Sequence, residues 1–91
     1  MTLVDAELDI FPVKPLQIWL GFGARDGDRA VSILVETSAL ERVWPGVPAP
    51  RSIQSHRAAI LLAADNIYDA LGKADEVRIS DNELNQIKLR T

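Results

Sequence analysis

The sequence predicts an α+β domain, in which a small antiparallel sheet (a hairpin plus a short third strand) is covered on one face by one long and two short helices. Three observations support this prediction. Two runs of alternating apolar residues flank an Asp-Gly pair, a long stretch with helical periodicity follows, and a short alternating run comes after it. A chain of 91 residues has room for a single domain with one core.

The start of the chain shows little periodicity in its apolar residues. Residues 1–8 are therefore expected to form a flexible arm. Leu8, Ile10 and Val13 would fit a short strand, which Pro12 and Pro15 limit to an edge of the sheet or to an irregular arm.

The hairpin is predicted from local signals. Leu16 to Phe22 alternates like a half-buried strand, Asp26-Gly27 is a strong turn signal, and Arg29 to Glu36 is the returning strand. The side chains expected on the core face are Ile18, Leu20, Phe22, Val31, Ile33 and Val35.

Two helices are predicted next. A capping box from Ser38 to Glu41 opens a short helix that ends near Trp44, because Pro45 and Gly46 do not continue a helix. The long helix is predicted over Ser52 to Leu71. Its core stripe is expected to contain Ile53, Ile60, Ala64, Ile67 and Leu71.

A short strand and a short helix are predicted after the long helix. Glu76 to Ile79 alternates and is predicted as the third strand. A second capping box, Ser80 to Glu83, then starts a final short helix that carries Leu84 and Ile87.

Composition excludes several classes of function. The net charge is −3 and the basic residues are scattered, which argues against nucleic acid as a partner. The absence of cysteine excludes disulfides, thiolate catalysis and Cys-ligated zinc, and favours the cytoplasm. Met1 to Asp9 lacks the apolar stretch of a signal peptide, and no apolar run is long enough to span a membrane.

Several short motifs occur at Asp9 to Pro12, Glu36 to Leu40, Ile53 to Ile60, Ala64, Tyr68, Val77 and Ile79. Together they resemble a small proteobacterial family of uncharacterised proteins, a domain of unknown function. The resemblance implies the fold described above and implies no activity; the proline-rich connector from Trp44 to Pro50 departs from the family pattern.

The start of the long helix holds the one candidate ligand site. If Arg51, Ser52, His56 and Arg57 converge with the free amides there, they would bind an anion. The alternative is that His56 is a partly buried structural residue and that Arg57 either extends its guanidinium out to solvent or pairs with a carboxylate. We predict no catalytic residue, metal site or cofactor, because His56 is the only histidine and no phosphate-binding loop is present.

Three other residues are candidates for a protein interface. Trp19 and Leu34 are expected on the outer face of the sheet, where they would form an exposed apolar patch. The alternative is that the arm or the Trp44 connector covers Trp19. Leu62 points away from the helix stripe and suggests a second contact, whereas Asp65 and Asp69 are expected on the solvated face.

These observations predict a small, non-catalytic cytoplasmic protein that acts through protein–protein contacts, as a homodimer or an accessory subunit. The alternative is a small-ligand or anion-binding domain that uses the start of the long helix. Neither reading involves nucleic acid or a membrane.

Overall fold

In the computed structural model, the described residues (2–7, 9–13 and 18–90) form five strands and three helices. The helices pack on one face of the sheet, so the predicted α+β class is confirmed. The elements in chain order are β1 (Val4–Asp5), β2 (Phe11–Val13), β3 (Trp19–Asp26), β4 (Arg29–Glu36), α1 (Thr37–Val43), α2 (Ala49–Ala70), β5 (Glu76–Ile79) and α3 (Asp81–Arg90).

The predicted hairpin is confirmed. Strands β3 and β4 pair antiparallel from Trp19 with Glu36 to Asp26 with Arg29. The positive φ of the two-residue turn, +60°, falls on Gly27, which adopts it without steric cost. One predicted core residue is wrong: Ile18 precedes the strand and is 52% exposed. Residues 16 and 17 of the predicted strand lie outside the described residues.

Strands β1 and β2 lie along the same edge of β3. β1 pairs with Ala24 and Arg25, and β2 pairs with the residues from Trp19 to Gly21. The first segment therefore differs from the expected flexible arm, because β1 is hydrogen-bonded to the sheet and Leu3 is buried in the core. Met1 and Leu8, which belonged to that prediction, lie outside the described residues.

The last strand runs in an unexpected direction. β5 pairs parallel with β4, from Ser32 with Glu76 to Val35 with Ile79. Two helices separate these strands in the chain, so the connection crosses the helical layer and returns in the same direction. The sheet is therefore mixed rather than purely antiparallel.

The buried face of α2 is rotated relative to the prediction. Ile53, Ile60 and Ala64 are buried as expected, but the stripe continues through Leu61 and Tyr68. Ile67 is only partly buried, and Leu71, the C-cap residue, is 58% exposed. Positions four residues apart advance by 40° around a helix, which moves the stripe from the Ile67 side to the Tyr68 side.

The two predicted capping boxes have different outcomes. α1 begins at Thr37 without a side-chain cap, and the Ser38 hydroxyl donates to the Glu36 carboxylate, so the first box is wrong. At α3, the Ser80 hydroxyl donates to the carboxylate of Glu83, and the Ser80 carbonyl accepts the first helical hydrogen bond. The helix that follows carries buried Leu84 and Ile87, as predicted.

Within the residues that the structure describes, no helix has the length and hydrophobicity needed to cross a membrane.

Candidate functional site

A groove of about 310 Å³ lies open to solvent between α2 and α3. Leu62, 49% exposed, stands on the α2 side, and partly buried Ile67 and buried Ile87 contribute apolar surface. The rest of the lining consists of Ala59, Ala63, Asn66, Glu83, Gln86 and Arg90.

The sequence of α2 explains this shape. Ala59 and Ala63 lie one turn apart on the groove side of the helix, and their short side chains leave space that longer residues would fill. α3 packs onto the core through Leu84 and Ile87, while its polar residues reach the rim of the groove. The result is an apolar hollow with a polar edge.

On the outer face of the sheet, the chain itself covers Leu34. Leu34 is only 4% exposed, although it lies on the opposite face from the main core. A Cβ atom on Gly21 would stand 2.8 Å from ring atoms of Phe11 and 2.9 Å from Cδ2 of Leu34, so both side chains lie over this glycine. The prediction that Leu34 is exposed is therefore wrong, because strand β2 brings Phe11 next to it.

Trp19 is partly buried beside the same strand. Its backbone pairs with Val13 of β2, and the Arg78 guanidinium carbon lies 5.2 Å from the centre of its ring. This cation–π contact shields one surface of the ring. Among the predicted interface residues, Leu62 is thus the one in an open apolar groove.

The predicted anion-site residues do not all share one environment. Arg51 is exposed, whereas Ser52 is buried and its hydroxyl has no hydrogen-bond partner among the described residues. Nδ1 of His56 lies 3.0 Å from the Ser52 carbonyl oxygen.

His56 also marks a kink in α2. Its φ of −118° and ψ of 18° are not helical, and its ring stacks on Trp44 with centroids 4.1 Å apart and planes 14° apart. The connector after α1 is therefore attached to α2 through this stack. This geometry favours a structural role for His56.

Arg57 points to a different partner. Its Nε donates to Oδ2 of Asp5 at 2.8 Å and its Nη2 donates to Oδ1 at 2.9 Å. Burial alone would raise the pKa of Asp5, but the hydrogen bonds and charge of Arg57, together with the Glu7 amide, hold that pKa below its ordinary value. Asp5, Glu7 and Asp9 line a polar hollow with Arg57, so carboxylates surround this cation. The anion-binding reading stays a prediction.

Asp65 has a role that the sequence did not reveal. It was expected on the solvated face together with Asp69, but it is only 5% exposed. Its Oδ1 accepts hydrogen bonds from the backbone amides of Thr2, at 2.9 Å, and Leu3, at 2.8 Å. A partner 62 residues away leaves no local signal in the sequence.

Across ranges 2–7, 9–13 and 18–90, no group of three or more His, Cys, Asp or Glu residues is placed to hold a metal ion. No protein-family model, curated protein or solved structure matches this chain. The resemblance to a proteobacterial family therefore stays a prediction.

Proposed function

We propose that this chain is a non-catalytic cytoplasmic protein that acts through protein–protein contacts, as a homodimer or an accessory subunit. The observation that carries this proposal is the open apolar groove between α2 and α3, with half-exposed Leu62 beside it. Apolar surface left open to water is stabilised when a partner covers it.

The composition of the groove supports a protein partner. Leu62, Ile67 and Ile87 offer apolar contacts, while Asn66 and Gln86 offer hydrogen bonds at the edge. An apolar centre with a polar rim is the usual anatomy of a protein–protein interface. A groove between two helices is also suited to receive a further helix.

Two other features support a non-catalytic role in the cytoplasm. His56, the only histidine, is stacked on Trp44 and lies next to a backbone carbonyl, which suits a packing role better than proton transfer. The chain contains no cysteine, as is common where disulfides do not form.

The test compares Leu62→Lys with a matched control, Leu71→Lys. Both leucines are exposed and belong to or directly follow α2, but only Leu62 lines the groove. Light scattering measures self-association of the purified variants, and tagged copies expressed in the source cell report any partner that co-purifies. Circular dichroism checks that both variants retain their helices.

We expect Leu62→Lys to lose self-association or its co-purifying partner, because a lysine ammonium is costly to bury in an apolar contact. Leu71→Lys should retain it. If the wild type neither self-associates nor holds a partner in a Leu62-dependent way, the proposal is wrong.

A further inference from the structure

We infer that the occupant of the α2–α3 groove is a second copy of this chain, related by a two-fold axis that crosses α2 near Leu62 and α3 near Gln86. This inference rests on the proposed function and identifies its partner. It is drawn from the charges on α3, the chemistry of Gln86 and the shape of the α2 side of the groove.

The charges on α3 are arranged for pairing with a reversed copy of the same helix. Glu83 and Arg90 both line the groove and lie seven residues apart, about 10 Å along the helix axis. A two-fold axis between them reverses the direction of the second α3, so that Glu83 of each copy faces the partner's Arg90. Two identical ion pairs then form, whereas a copy running in the same direction would place like charges together.

Gln86 lies between these two charged residues and thus near the proposed axis. A side chain on a two-fold axis meets its own copy, so it must be compatible with itself. The Gln86 amide both donates and accepts hydrogen bonds, and therefore pairs with the partner's Gln86 without leaving a charge unmatched.

The α2 side of the groove has a self-complementary shape. Half-exposed Leu62 projects next to the hollow left by Ala59 and Ala63. In a two-fold interface the same patch supplies both surfaces, so the leucine of each copy packs into the hollow of the other. This is the knobs-into-holes arrangement of paired helices, with α2 and α3 of both copies forming a four-helix layer.

Single cysteines test the position of the axis, because the natural chain has none. Gln86→Cys should form a covalent dimer under mild oxidation, since residues near a two-fold axis bring their Cβ atoms within disulfide range. The matched control is Asn85→Cys, which is exposed on the same helix but does not line the groove. Equal cross-linking of both variants, or none for Gln86→Cys, would overturn the inference.

A charge exchange tests the predicted ion pairs. Glu83→Arg and Arg90→Glu should each weaken dimerisation roughly five- to tenfold, because both symmetric pairs are replaced by like charges. The double variant should return to within about twofold of the wild type. Glu83 also contacts Ser80 at the start of α3, but Arg90→Glu does not restore that contact, so only an interface effect is rescued.

The outcomes separate this inference from the proposed function. If Leu62→Lys abolishes binding of a co-purifying protein while the Gln86 cross-link and charge rescue are absent, that protein and not a second copy occupies the groove, and the contact function stands. If Leu62→Lys abolishes self-association without the cross-link and the rescue, the two-fold arrangement is wrong and the contact function stands. If Leu62→Lys changes nothing, the proposed function is wrong. If additive weakening appears in the double charge variant, the two-fold arrangement is wrong.

Discussion

Asp5 and Arg57 form a two-pronged ion pair that joins strand β1 to helix α2, with N···O distances of 2.8 and 2.9 Å. The guanidinium carbon also lies 4.9 Å from the centre of the Phe22 ring, which belongs to the core face of β3. Arg57 thus contacts a strand segment, the sheet and its own helix at once. The pair fixes the edge of the sheet to the helical layer.

This pair should make stability depend on pH. The pKa of Asp5 is lower in the folded state than its ordinary value of 3.8, so its contribution is fully present above that value and is lost as the pH falls through the lowered pKa. Asp5→Asn should cost roughly 1–2 kcal/mol of unfolding free energy at neutral pH. Denaturant unfolding of both proteins should show this difference shrinking below about pH 4.

Asp9→Asn is the control for that measurement, because it removes the same charge from the same polar hollow. Its unfolding free energy should stay within about 0.5 kcal/mol of the wild type. An equal loss in both variants would mean that general electrostatics, and not the Asp5–Arg57 pair, causes the effect.

Asp65 should be essential for docking of the first described segment. In Asp65→Ala the amides of Thr2 and Leu3 lose their acceptor, which should cost about 2–4 kcal/mol and speed hydrogen exchange at Leu3. Asp65→Asn keeps one carbonyl oxygen as an acceptor and should therefore lose less unfolding free energy. Asp69→Ala, an exposed position one turn away, serves as control, and a similar loss there would contradict the prediction.

Tyr68 should ionise only at strongly alkaline pH. Burial raises the pKa of its hydroxyl, and so does the 2.7 Å hydrogen bond that it donates to Asp26. A raised pKa means that this contribution to stability is present below the ordinary value of 10.0 and is lost as the pH rises through the folded value. Since Tyr68 is the only tyrosine, absorbance titration reports it directly. Tyr68→Phe should remove this loss of stability at alkaline pH. A folded wild type whose Tyr68 ionises at the ordinary pKa of 10.0 would refute the prediction.

Gly21 should be intolerant of a side chain. In Gly21→Ala the new Cβ would overlap Phe11 and Leu34, and we expect a loss of about 1–3 kcal/mol by denaturant unfolding. In a Phe11→Ala background the same substitution should cost less, because one of the two obstructing side chains is gone. Strict additivity of the two changes would show that the Phe11 ring does not lie over this glycine.

The parts of the fold that were predictable depend on neighbours in the sequence. The hairpin follows from alternation around Asp26-Gly27, and the buried face of α3 follows from Leu84 and Ile87 after the Ser80 start signal. In both cases the interacting residues are close along the chain, so the pattern determines the structure.

The parts that were missed depend on distant partners. The sequence pattern predicts a solvated carboxylate at Asp65, because only the fold brings the Leu3 amide to it. The pattern likewise predicts an exposed side chain at Leu34, because only the fold places Phe11 over that face of the sheet. The direction of β5 follows from two intervening helices and not from its own residues. In the candidate site, Leu62 was identified from its position on α2, but the hollow beside it requires the placement of α3.

The hydrogen bond between Leu3 and Asp65 has a consequence for the nascent chain. These residues are 62 positions apart, so at ordinary translation rates Leu3 is made roughly 3–12 s before its acceptor. The hairpin needs no residue beyond Glu36 for its own pairing, so its formation does not depend on Asp65. Until the ribosome has made about three-quarters of α2, the Leu3 amide has no Asp65 carboxylate to bind, and during those seconds this segment is accessible to chaperones.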